Sequence, residues 1–529
     1  MGFAQAHAAF SDLLGPEGVR GPDEAEAKWG ACTTGAARRL AGAVCPSKAD
    51  WIPEIVRIAR AHGVALYPIS TGHNWGYGTA LPVRDDAVIV DLSRLTGIDF
   101  DPEMGVVRVE PGVTQGMLAE FLAHGGHPFL TPVHGGGPTC SILGNALERG
   151  YGITPHTDHF GAVLALEAVL ADGSTYRSPL TELSGTGGGP AFKWGIGPFV
   201  DGLFAQSGFG IVTRVSIALA RTPERVRAVL FGLTDERLAE GLTAIRDVLR
   251  RLPGIVGAVN LMNAHRILAM AIPYPREAIG SDGLIPPGVV ARLAARHRVH
   301  AWTGFATLYG SKHVVRAAQH DIVRLLRPHV RQFAFVAPAA LYRVNRVRRR
   351  LGLQFGGFGR KLELLQSGLE IVQGRPNQTA LPLAYWRSGQ LPESGATMDP
   401  ARDGCGLIWY APLVPMTPKR VRRYIELVTA GTRAHRFEPL ITLTSLSERC
   451  FDSTVPLLFD RGDHAQVDRA KACMTELLDS GSREGFVPYR IGIDAMAWLE
   501  SRRLTQGSLA ARLRNAIDPE RILAPGRYG

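Results

Sequence analysis

The chain has 529 residues, 45% of them hydrophobic and 20% charged, with a formal net charge of +11. That make-up belongs to a globular protein long enough for two or more cores and excludes the disordered and fibrous classes. Six cysteines (Cys32, Cys45, Cys140, Cys405, Cys450, Cys473) contain no C-x-x-C pair, so neither a disulfide framework nor a zinc site is signalled, and a cytoplasmic setting is expected.

In chain order, Met1 to Leu14 lacks a basic start followed by an apolar run, so no exported or membrane form is expected. Ser47 and Asp50 precede a helix with apolar residues at Ile52, Ile55, Val56 and Ala59. They are expected to cap it, and Gly63 to end it before a strand from Val64 to Ile69. Strands are expected at Ala87 to Leu92 and Val106 to Val109, then a helix from about Thr114 to His124. Val163 to Leu170 followed by Asp172-Gly173 reads as a hairpin. The apolar stretch Gly161 to Ala171 is interrupted by Glu167 and is too short to span a bilayer. Gly185 to Pro190 is a loop, Ile211 to Leu219 a strand, and Arg221-Thr222-Pro223 a boundary. Beyond Glu224 the patterns lengthen, with a strand from Leu407 to Val414 and a helix from Lys419 to Thr429. The densest basic cluster, Arg343 to Arg350, alternates with apolar residues and has no interleaved aromatics. It reads as a solvated helix face, and no nucleic-acid partner is expected. The excess charge is instead compatible with an anionic cofactor or an acidic substrate.

No G-x-G-x-x-G follows a strand and no P-loop motif occurs, so dinucleotide-fold and P-loop readings lose their support. Two other glycine-rich segments remain, Ser70 to Gly78 directly after a strand and His134 to Gly152, followed by Phe209-Gly210-Ile211-Val212-Thr213. Missing side chains expose successive backbone N–H groups, which can form a concave nest around a pyrophosphate. Each loop alone is equally readable as a surface turn.

The segments Tyr67 to Gly78, Gly135 to Phe160 (ending Thr154-Pro155-His156-Thr157-Asp158-His159-Phe160), Gly197 to Thr213, Pro488-Tyr489-Arg490 and the C-terminal run from Asp518-Pro519 to Ala524-Pro525-Gly526-Arg527-Tyr528-Gly529 resemble the family of vanillyl-alcohol oxidase and para-cresol methylhydroxylase, in the family's order. The resemblance implies an α+β fold. Its FAD-binding domain is split into two α/β subdomains, with an inserted cap that carries an antiparallel sheet flanked by helices. The corresponding ranges are 1–223, 224–496 for the cap, and 497–529 completing the FAD site. It also implies chemistry on para-substituted phenols, by hydride transfer from the benzylic carbon through a para-quinone methide, and a homodimer.

By the same resemblance, Tyr77, Tyr489 and Arg490 form a phenolate clamp, and Asp158 stands beside the reaction centre. Two phenolic donors and an arginine fork stabilise an oxyanion, which lets the ring's electron density expel hydride. The cofactor positions are Pro68, Ser70, Thr71, Gly72, His73, Asn74 and Gly76, then Pro138, Thr139, Cys140, Gly144 and Asn145. Gly150, Gly152, Ile153, Thr154 and His159 follow, then Gly210, Ile211, Val212 and Arg527. Arg527 is expected near the flavin edge that gains negative charge on reduction. His156 and His159 lack a third ligand nearby, so no metal is expected. For a covalent flavin tether three residues stay open: His73, Tyr410 in the cap, and Cys140. The electron acceptor, oxygen or a redox carrier, and the fate of the quinone methide are not legible. His73 alone would equally suit an oxidase of a sugar, hydroxy acid or other alcohol, and a non-catalytic flavin-binding or nucleic-acid-binding protein is the alternative of a different class.

Overall fold

The computed structural model describes residues 2–184, 191–350, 357–393 and 395–528. The expected loop Gly185 to Pro190 lies outside the described residues, as does Gly529. The first 221 residues build two main sheets and a short antiparallel pair, Phe129–Leu130 with Ala220–Arg221. The smaller has four strands in the order Val19–Arg20, Leu40–Val44, Ala87–Asp91, Leu66–Ile69, parallel except for its first pair. The second is an antiparallel sheet of five in the order Ile98–Asp101, Val106–Val109, Ile211–Ala218, Val163–Val169, Thr175–Arg177. The Asp172-Gly173 turn closes the last pair as a hairpin, with Gly173 at φ +82°.

The helix Ile52–Ala61 buries Ile52, Ile55, Val56 and Ala59 on one face, as its spacing predicts. Its start differs from the expectation. A single 3-10 turn, Ala49–Trp51, leads into it and no side chain caps it, so Ser47 and Asp50 do not have the capping role. The helix Gln115–His124 is capped by Thr114, whose hydroxyl accepts from the Met117 amide at 3.2 Å.

After Arg221 the chain enters a larger antiparallel sheet of eight strands. The order along it is Arg331–Val336, Arg225–Leu233, Trp302–Gly310, Val256–Asn263, Thr442–Ser445, Cys450–Asp460, Cys405–Tyr410, with Leu413–Pro415 also pairing Cys450–Asp460. The expected strand from Leu407 to Val414 is thus two strands. Pro412, which has no N–H to give a ladder, stands at the break. Helices Leu238–Arg251, Lys312–Leu326, Pro418–Ala434 and His464–Arg483 cover one face, burying Phe231, Leu261, Leu308, Tyr410, Tyr424, Phe451 and Leu457 in one core. A side chain of that size contributes about 1.5–3 kcal/mol when fully buried. Because strand side chains alternate, Trp409, Asp452 and Thr454 point to the opposite face. The basic run lies in the helix Pro338–Arg350 with Arg343 and Arg346 exposed, while Arg348 turns inward to Glu363 at 2.5 Å.

The C-terminal segment returns to the small sheet. The Leu66 amide donates to the Ile522 carbonyl and the Ala524 amide to that of Leu66, both at 2.7 Å, so the tail lies along the open edge of Leu66–Ile69. Asp518, fully buried, holds this turn by accepting from the amides of Ile522 and Leu523 at 2.9 and 3.0 Å. The division expected between residues 496 and 497 falls inside the helix Met496–Ser501. Its Met496, Trp498 and Leu499 all pack on the large-sheet core.

Candidate active site

The two glycine-rich loops face one another. Ser70 ends the strand Leu66–Ile69 and lies against Gly144, where an added Cβ would stand 2.9 Å from the Ser70 hydroxyl. The His73 ring, through Nδ1, donates to the Thr139 carbonyl at 3.2 Å. Between them, the amides of Thr71, Gly72 and His73 donate to no protein acceptor among the described residues, and Gly72 sits at φ +72°. A left-handed residue within a row of free amides turns them toward one point, which is an anion nest. Pro68, on the strand, and Pro138, whose carbonyl accepts from Gly116 at 2.8 Å, frame the two loops.

Beyond the helix Ile142–Leu147, close approach dictates glycine at two places. A Cβ on Gly150 would be 2.0 Å from Asn145 Oδ1, and one on Gly152 would be 2.4 Å from His159 Nε2. Asn145 Nδ2 and His159 Nδ1 are 2.5 Å apart. The hydroxyl of Thr154 and Nε2 of His159 are buried without a protein partner, and the Ile153 carbonyl accepts from Tyr309 of the large sheet at 3.1 Å. Ile211 and Val212 send their side chains into the cores on either side, and Gly210 packs on Phe204. What these three can offer a ligand is therefore main chain.

The charged centre lies where these loops meet the opposite face of the large sheet, the one that carries Trp409 and Asp452. Arg490 stacks over Tyr77, with Cζ 4.2 Å from the ring centroid, and donates through Nη2 to Asn74 Oδ1. Its Nε is 3.6 Å from Glu148. Arg527 pairs with the other oxygen of Glu148 and donates to the Tyr67 hydroxyl at 2.9 Å. Burial alone would push Glu148 up, but the guanidiniums of Arg527 and Arg490 outweigh it and hold the carboxyl below the ordinary glutamate value. Tyr489 immediately precedes Arg490, its ring 5.6 Å from that of Tyr151. The hydroxyls of Tyr77 and Tyr489 are both pushed above the ordinary tyrosine value, mainly by burial, so both stay protonated donors. Asp452, 5% exposed, projects from Cys450–Asp460 toward Tyr489 and Arg490. Burial raises it to about 7, against the lowering pull of Arg490 and Tyr489. A buried carboxyl that titrates near neutrality beside two phenols can take or return a proton.

Tyr77, Tyr489 and Arg490 are thus brought together from positions more than 400 apart in sequence, with Arg527 next to them through Glu148. Asp158 is not. Its carboxylate is exposed and accepts from the Gly161 amide at 2.7 Å as a turn cap, with Tyr151 between it and Tyr489. Tyr410 is also displaced from its expected role. The strand's alternation buries it in the core, with its hydroxyl 3.3 Å from the Phe486 carbonyl, and Trp409 takes the site-facing place. Cys140 donates to the Gly136 carbonyl at 3.0 Å, and burial pushes it up to about 12, which favours the thiol over the nucleophilic thiolate. Glu148 and Asp452 were not singled out from sequence. Glu148 sits unmarked among glycines, whereas Asp452 in the strand Cys450–Asp460 carried a usable signal, a carboxylate inside a largely apolar run whose other aspartate, Asp460, stands at the exposed end.

An FAD binding domain model matches residues 40–178. Over 528 residues the chain is 35% identical to 1'-carboxy-chondrochloren decarboxylase of Chondromyces crocatus, covering 99% of this chain and 97% of that one. It is 27% identical to the flavoprotein subunit of 4-cresol dehydrogenase [hydroxylating] of Pseudomonas putida, covering 93% and 88%. The fold superposes on p-cresol methylhydroxylase with substrate bound at a TM-score of 0.87 and 25% identity, covering 100% of this chain and 97% of the other. The chain belongs to the vanillyl-alcohol oxidase and para-cresol methylhydroxylase family. It is accordingly an FAD-dependent oxidoreductase of α+β fold. The residues present fit that cofactor. The free amides of Thr71, Gly72 and His73 suit a pyrophosphate, and the buried, partnerless Thr154 Oγ1 and His159 Nε2 are polar atoms that a bound group would satisfy. Among the described residues no helix is long and apolar enough to cross a membrane.

Proposed function

We propose that this protein oxidises a para-substituted phenol, held as its phenolate by Tyr77, Tyr489 and Arg490. The observation that carries this is the stacking of Arg490 over Tyr77, with Tyr489 adjacent and Asp452 behind them. FAD, when bound, supplies a hydride acceptor. Arg490 and the two hydroxyls stabilise the phenolate oxygen, and Asp452 receives the phenolic proton through Tyr489. With its negative charge stabilised, the ring releases hydride from the benzylic carbon and becomes a para-quinone methide. Water addition then gives a benzylic alcohol, and proton loss an alkene. Where the neighbouring carbon bears a carboxylate, loss of carbon dioxide returns two electrons to the ring and leaves a vinylphenol. The names of the two relatives, one a decarboxylase and one a hydroxylating cresol dehydrogenase, support both the phenol and the first and last of these outcomes. In this reading residues 1–223 and the C-terminal segment hold FAD and the large sheet caps it, in a homodimer whose reduced flavin passes electrons to oxygen or to a redox carrier. The free cysteines fit a reducing cytoplasm.

For the flavin tether we favour His73. Burial lowers its pKa, so the ring is neutral near pH 7, and donation from Nδ1 to Thr139 leaves the lone pair on Nε2. Acid-precipitated protein should then stay yellow and H73A should not; a colourless wild-type pellet sinks every covalent version. The clamp is tested by anaerobic flavin reduction with para-alkylphenols. Y489F and R490K should each slow reduction by about 10²–10³-fold, the effect of removing one donor from an oxyanion site. Unchanged rates on the true substrate would remove the phenolate mechanism.

A further inference from the structure

On the opposite face of the large sheet, beside Trp409, one cation stands without an anion among the described residues. Arg266 lies in the first turn of the helix Ala264–Ala271, which leaves the strand Val256–Asn263 through an Asn263 cap. The Asn263 Oδ1 accepts from the Arg266 amide at 3.0 Å. Its Nε and Nη1 are shut off from solvent and donate to no protein group among the described residues. Burial alone pulls the guanidinium down to about 10, and no carboxylate offsets it. The other two arginines of the site have partners: Arg490 has Glu148 and Asn74, and Arg527 has Glu148 and Tyr67. The helix N-terminus adds its own positive field, which further disfavours an uncompensated cation there.

The place of this arginine ties it to the substrate. Its Cζ is 5.9 Å from the ring centroid of Trp409, the site-facing residue of its strand. The same indole presses on Gly76, where an added Cβ would stand 2.1 Å from Cδ1, and Gly76 adjoins Tyr77 of the clamp. One indole ring thus separates the unpaired guanidinium from the loop that carries Tyr77.

We propose that Arg266 binds a carboxylate on the substrate's para side chain, so that the enzyme takes a 4-hydroxyphenyl alkanoic acid in preference to a neutral para-alkylphenol. This rests on the phenolate reading of Tyr77, Tyr489 and Arg490. It goes beyond that reading by assigning the far end of the substrate a charge and a partner. An arginine fork matches a carboxylate's two oxygens, and a charge-assisted pair in a dry site contributes about 1.5–3 kcal/mol, or about 10–100-fold in affinity.

The test compares 4-hydroxyphenyl alkanoic acids with their primary amides and with 4-alkylphenols, using holoenzyme and anaerobic flavin reduction. In the wild type the acid should bind about 10–100-fold more tightly than its amide. In R266Q the ratio of kcat/KM for acid over alkylphenol should fall by a similar factor, carried by KM, and R266K should recover part of it. Equal binding of acid and amide by the wild type overturns the assignment even if R266Q fails to fold. Parallel losses on all substrates, or loss of FAD from R266Q, also overturn it, since the arginine would then serve the fold or the cofactor. If 4-alkylphenols reduce the wild-type flavin and the carboxylate brings no preference, only the Arg266 assignment fails. If no phenol of any kind reduces it, the phenolate reading fails and this assignment goes with it.

Discussion

Replacing Asp452 with asparagine isolates the group whose protonation most directly couples the site to pH. Its carboxyl is raised from 3.8 to about 7 because burial removes its water faster than Arg490 and Tyr489 replace it. That displacement corresponds to about 4 kcal/mol by which the native state disfavours the ionised form. The unfolded chain releases this proton near 3.8, whereas the native chain keeps it to about pH 7. Over that window the native state binds more protons, so the group's contribution to stability falls as pH rises from about 4 to about 7 and is level above. D452N has no proton to lose. It should match the wild type near pH 4 and gain on it by up to about 4 kcal/mol by pH 8. For a chain of this length the comparison is made on holoprotein, as unfolding rates or apparent Tm at fixed scan rate. The rate of flavin reduction should show a break near pH 7 in the wild type that D452N lacks. A gap between D452N and wild type that is the same at pH 5 and pH 8.5 would refute the reasoning, because no proton would then be taken up on folding at this position.

Two further outcomes follow from contacts at the same centre. E148Q leaves Arg490 and Arg527 without their shared carboxylate, and should cost about 3–5 kcal/mol, read as a lower apparent Tm and weaker FAD retention; an unchanged Tm would mean that other groups balance the pair. G76A places a side chain at φ +79° and 2.1 Å from the Trp409 indole, so it should destabilise by more than about 1 kcal/mol, and G76A/W409A should recover part of the loss if that contact is the cause.

What the sequence by itself determined were features written in local spacing. The helices Ile52–Ala61 and Gln115–His124, the Asp172-Gly173 hairpin and the two glycine loops needed only periodicity or a φ preference, and the family's segments carried Tyr77, Tyr489, Arg490 and Arg527 to one site. Local spacing failed where the deciding neighbour was distant. Nothing within Leu407 to Val414 tells which of Trp409 and Tyr410 faces the flavin side, because that depends on which face of the sheet the helices Pro418–Ala434 and His464–Arg483 cover. Asp158 looks equivalent to any aspartate near a reaction centre until the chain folds and leaves it on an exposed turn. Tertiary structure alone decided the charges. Glu148 is an ordinary glutamate in sequence and becomes the common partner of Arg490 and Arg527; burial raises Asp452 to about 7; Arg266 becomes a cation with no anion among the described residues. Desolvation and pairing are properties of where a group ends up, and only the packing of the large sheet onto the glycine loops sets them.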